Sequence, residues 1–172
     1  MCCESAALPP LPASRILPPL RRLSMQACAA RSSCCRSGAS PAMAASNARH
    51  PLVAKTEPKP AAVVAFYPGC AVEQDRGYNS TAPLLLMVGE ADDWTPPRPC
   101  RELAQQATSP VQFIAYADAH HGFDGNTSER RRTDVPHGVN PGQGVTVGGQ
   151  AAAREASQRA LIEFLRVRFR QR

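Results

Sequence analysis

Two short stretches of this 172-residue chain hold residue types that exchange protons. "GEADDWTP" (89–96) carries Glu90, Asp92 and Asp93, and "ADAHHGFD" (117–124) carries His120 and His121. An aspartate that accepts a hydrogen bond from one ring nitrogen of a histidine fixes the tautomer, leaving the other nitrogen to take a proton. Aspartate followed by histidine, one strand apart, is the second half of a Ser/Cys…Asp…His triad on a hydrolase sheet. Each assignment has a plainer competitor. Asp92 or Asp93 caps a following helix through its carboxylate, a reading that weighs more for Asp93, and His121 stands on a surface loop. A metal site built from His120, His121, Asp118 and Asp124 fares worse, because adjacent histidines diverge and rarely ligate one ion together.

Such groups act only if regular elements hold the two stretches side by side. "AAVVAFYPG" (61–69), "PLLLMVGE" (83–90) and "VQFIAYA" (111–117) are short apolar runs of the kind that form buried strands. "TPPRPCRELAQQA" (95–107) reads as a helix capped by Thr95, since prolines in a first turn lose no intrahelical hydrogen bond. The run 148–172 is the clearest helix, with Ala160, Leu161, Phe164, Leu165 and Phe169 on one stripe and arginines opposite. Continuous apolar strands alternating with helices predict an α/β fold with a parallel sheet covered on both faces. In such sheets functional groups gather beyond the carboxyl ends of the strands, where both stretches lie.

Composition divides the chain near residue 48. Residues 1–48 are rich in Ala, Ser, Pro, Arg and Cys, hold Glu4 as their one acidic residue, and show no sustained period. They are expected to be disordered or unrelated to the domain that follows at 49–172. Arginine without acid also suits an organelle-targeting segment, although the prolines spoil the usual amphipathic helix. The net charge of +6 is spread along the chain rather than gathered in one patch, which disfavours nucleic acid as a partner. The mean hydropathy is negative and no run reaches the ~18 apolar residues of a membrane span, so a cytoplasmic protein is expected. Of seven cysteines, five precede residue 36. Cys70 and Cys100 are expected to be buried thiols in a reducing compartment; Cys70 lacks the glycine context of an exposed nucleophile. The arginine run 130–132 is expected to be a solvated loop, and Trp94 to pack against its own loop.

In this order, "FYPGC", "PLLLMVGEADDWTPPRPC" and "YADAHHGFD" resemble the C-terminal half of the dienelactone hydrolase family of α/β-hydrolases. "NPGQGVTVGG" and the final helix resemble that family's end, so the likeness runs over about residues 61–170. It implies a partial α/β-hydrolase fold of three parallel strands with flanking helices. It also implies cleavage of an ester, lactone or thioester bond, with no cofactor and no metal. Carried over by position, Asp92 matches the triad acid and His121 the base, with His120 its neighbour.

The nucleophile is the missing member. The family's G-x-[SC]-x-G turn should precede the first apolar run, and this sequence contains no such motif. Ser40 in "SGASPAMAASN" (37–47) stands at about the right distance, but Pro41 follows it and has no N–H to serve as an oxyanion donor. Losing one such donor costs about 10²–10³ in rate. "AMAASNARHPL" nevertheless resembles the start of the helix behind the family's nucleophile. A reading-frame change in a GC-rich gene would produce an Ala/Arg/Pro-rich stretch in front of it. The alternative function is accordingly an inactive, truncated domain kept as a binding remnant. Its first strand would expose an edge that a partner chain is expected to cover.

Overall fold

The computed structural model describes residues 41–50, 60–135 and 137–170. Its centre is a sheet of three parallel strands in the order β1 (Val63–Phe66), β2 (Leu84–Gly89) and β3 (Val111–Tyr116). Val63 pairs with Leu84 and Leu84 with Val111, so the apolar runs align end to end. The α/β class read from the sequence is the observed one.

All six residues of β2 are buried because both of its faces are covered. Side chains alternate across a strand, so Leu84, Leu86 and Val88 enter one core and Leu85 and Met87 the other. The first core is closed by α1 (Pro41–Ser46), α2 (Cys70–Asp75) and α3 (Pro97–Gln106), through Met43, Cys70, Cys100 and Leu103. The second is closed by α4 (Ala151–Arg170), through Ala153 and Phe164, with Phe123 from the loop after β3. Met43 is fully buried, so residues 41–46 pack with the domain although their composition resembles the segment before them.

Several expectations change. Helix α3 starts at Pro97 with Pro96 in the capping position and no side-chain cap, so Thr95 does not cap it. Helix α4 starts at Ala151, after Gly148 and Gly149, and Phe169 near its end is exposed. The arginine run 130–132 is a strand, β4 (Arg130–Arg132), antiparallel to β5 (Val145–Val147). Three-residue strands are too short to show a period, which hides this hairpin from pattern reading. Cys70 and Cys100 are buried as expected, but they are joined as a disulfide between α2 and α3, with Cα atoms 5.0 Å apart. Their spacing of 30 residues holds no hint of that contact.

No helix among the described residues is long and apolar enough to cross a membrane.

Candidate active site

The three strands run in one direction, so their carboxyl ends lie together and deliver three loops to one place. Tyr67 follows β1, Asp92 and Trp94 follow β2, and His121 follows β3. The second and third loops are laced by backbone hydrogen bonds from Glu90 N–H to Tyr116 O (2.9 Å) and from Ala91 N–H to Ala119 O (3.1 Å). Gly89 makes this approach possible, since any side chain there would overlap the Ala119 carbonyl. Gly122 turns the chain away behind His121 at φ 80, a left-handed conformation that favours glycine.

His121 Nδ1 lies 3.0 Å from Asp92 Oδ2, and both residues are buried, at 8% and 3% exposure. The carboxylate can only accept, so the proton of this bond belongs to Nδ1. Asp92 Oδ1 takes the backbone N–H groups of Trp94 (2.9 Å) and Thr95 (2.8 Å). Asp92 thus closes a local turn with one oxygen while the other meets the histidine, and it does not cap α3, which begins at Pro97. The Thr95 hydroxyl is 2.9 Å from Asp92 Oδ2, 3.1 Å from His121 Nδ1 and 3.0 Å from the Tyr67 carbonyl.

Two aromatic rings flank the imidazole. Tyr67 and Trp94 stand with ring centroids 4.3 and 4.4 Å from it. Tyr67 takes φ 40, a left-handed conformation that costs of order 1–3 kcal/mol in a bulky residue. It is held by its N–H on Met87 O at 2.7 Å. Burial raises the Tyr67 phenol above its ordinary range, and the charge of Asp124 and a hydrogen bond to it add to the effect. Trp94 packs under the hairpin with Val135, Val145 and Val147, and the Arg132 guanidinium lies 5.4 Å above its ring.

The remaining residues singled out from sequence fall elsewhere. Asp93 caps no helix: its carboxylate accepts the Thr146 N–H at 2.7 Å, joining the acid loop to β5. His120 Nε2 faces Glu129 Oε2 at 3.7 Å, so it is a neighbour with a different partner. Glu90 pairs with Arg101 on the surface. Ser40 lies outside the described residues. Sequence reading missed Thr95 and Tyr67. A hydroxyl three residues after a candidate acid was the available signal for Thr95, whereas nothing local marked Tyr67. A cleft of about 150 Å³ opens between residues 69–72 and Trp94, Thr95, Pro96 and Pro99. Complete small-molecule sites span roughly 300–1,000 Å³, so this cleft suits only part of a ligand.

Residues 50–169 match the sequence profile of the dienelactone hydrolase family. The chain belongs to the dienelactone hydrolase family. No curated protein and no solved structure matches it. Family membership makes this a hydrolase-family chain, and the buried His121–Asp92 pair lies within the matched residues.

Proposed function

We propose that this chain carries the acid–base half of an ester-, lactone- or thioester-cleaving triad. His121 is the general base, Asp92 orients it, and the chain turns over no ester by itself. The observation that supports the reading most is the 3.0 Å contact of His121 Nδ1 with a buried carboxylate. It commits Nδ1 as a donor and leaves Nε2 for a nucleophile's proton. A Ser or Cys on a tight turn would supply that proton, and this sequence has no G-x-[SC]-x-G motif. The missing motif equally favours the second reading, a non-catalytic remnant of the hydrolase domain.

One experiment separates the two. The encoding DNA is read in all three frames from upstream of the start through codon 45, and a segment bearing the motif is joined in front of "MAASNARHPL" (43–52). The unextended chain should cleave an activated ester no faster than its His121→Ala variant. The joined chain should cleave it in a manner abolished by His121→Ala. Cleavage by the joined chain that survives His121→Ala would overturn the triad reading.

The working compartment is part of the proposal. Bridged cysteines persist where the surroundings are oxidising, so the Cys70–Cys100 disulfide favours such a location over the cytoplasm.

A further inference from the structure

One hydroxyl touches all three loops of the site. Thr95 Oγ1 lies within 3.1 Å of an atom from the loop after β1 (Tyr67 O), the loop after β2 (Asp92 Oδ2) and the loop after β3 (His121 Nδ1). We propose that Thr95 is a positioning residue that selects the Nδ1–H tautomer of His121, an inference that rests on the acid–base reading above.

The argument is one of donor and acceptor counting. A threonine hydroxyl has one proton and two lone pairs. The Tyr67 carbonyl and the Asp92 carboxylate can only accept, and a Thr95 proton turned to Nδ1, as the opposite tautomer allows, would serve neither oxygen; with Nδ1–H in place the Thr95 proton goes to one of them. A hydroxyl lone pair then faces Nδ1 alongside Asp92 Oδ2. Two acceptors converge on one nitrogen, an arrangement satisfied when Nδ1 carries the proton. In the opposite tautomer the Nδ1 lone pair would face the carboxylate oxygen at 3.0 Å, a contact with no proton in it.

Position supports the same role. Asp92 Oδ1 is pinned by two backbone N–H groups, one of them from Thr95 itself, so acid and hydroxyl move as one unit. The Tyr67 carbonyl anchors that unit to β1 through a residue held in a left-handed conformation. Conformations of this kind persist where surrounding contacts over-determine them. The Thr95 hydroxyl meets the ring at Nδ1, so its effect reaches the base through that nitrogen.

The test reads the imidazole rather than turnover. Long-range proton–nitrogen NMR of the full chain reports which His121 nitrogen bears hydrogen. The unaltered chain should show a single Nδ1–H form. Thr95→Val should draw the two ring nitrogen signals toward each other as the Nε2–H form becomes populated, and Thr95→Ser should restore the original spectrum. A Thr95→Val ring spectrum superimposable on the original overturns the proposal. If valine prevents folding, Thr95→Ala takes its place, and ring signals equal to those of Thr95→Ser overturn the proposal in the same way. Asp92→Asn keeps the two failures apart. If it leaves the His121 signals unchanged, the Asp–His pair itself is wrong. If it moves them while the Thr95 variants do not, only the role of Thr95 falls.

Discussion

At the scale of single residues, this site shows how adjacent identical residues acquire different work. His120 and His121 differ by one position, yet one faces Glu129 and the other Asp92. Asp92 and Asp93 divide in the same way, one toward the histidine and one toward Thr146. Neighbouring side chains leave the backbone in different directions, so each doubled motif sends its two members to different partners. Tyr67 provides the pH prediction at this scale. Its phenol is raised above the ordinary value near 10, first by burial and then by Asp124. Below about pH 10 the folded and unfolded chains both keep this proton, and the contribution to stability is fully present. Above it the unfolded chain ionises first, so stability falls as pH rises. Urea unfolding at about pH 7 and about pH 11 should show that fall. Tyr67→Phe should make it shallower, while Tyr78 and Tyr116, raised mainly by burial, keep part of it.

At the scale of elements, the β4–β5 hairpin acts as a brace. It reaches back to the acid loop through Asp93 and forward to the base loop through the Gly148 N–H on His121 O, at 3.0 Å. The Val139 N–H adds a bond of 2.9 Å to the Asp93 carbonyl. Removing the carboxylate removes bonds to a charged acceptor, and Asp93→Ala should cost about 1–2 kcal/mol. Hydrogen exchange locates the loss: the amides of Thr146 and Gly148 should exchange faster, while those of β2 stay protected. Equal acceleration in β2 would mean that Asp93 stabilises the whole domain rather than the hairpin. How much of this was legible depends on element length. Strands β1 to β3 were readable because each is an apolar run closed by turn residues, and α4 because its stripe repeats over many turns. The helix α2 and the hairpin strands, at six residues and three, are shorter than the patterns that identify such elements.

At the scale of the molecule, the Cys70–Cys100 bridge crosses the first core between α2 and α3. It closes a loop spanning 30 residues, for which chain entropy gives about 3–4 kcal/mol. Small domains are stable by only about 5–15 kcal/mol, so this bridge is a large share of the total. Reduction, or replacement of both cysteines by alanine, should lower the urea midpoint by a corresponding amount. An unchanged midpoint would show that α2 and α3 hold together by packing alone. The bridge also bears on the site, since α2 starts just after Tyr67 and α3 just after Thr95, the two residues joined by the bond from the Thr95 hydroxyl to the Tyr67 carbonyl.

The sequence by itself determined the α/β class, the three strands and their chain order, and Asp92 and His121 as the acid–base candidates. Those features are local, written in apolar runs, turn residues and a family's motifs. The pairing of Cys70 with Cys100, the contacts of Thr95 and the ring of Tyr67 against His121 were decided by tertiary structure. Each depends on loops distant in the chain meeting at the end of one parallel sheet, and local patterns record nothing of such meetings.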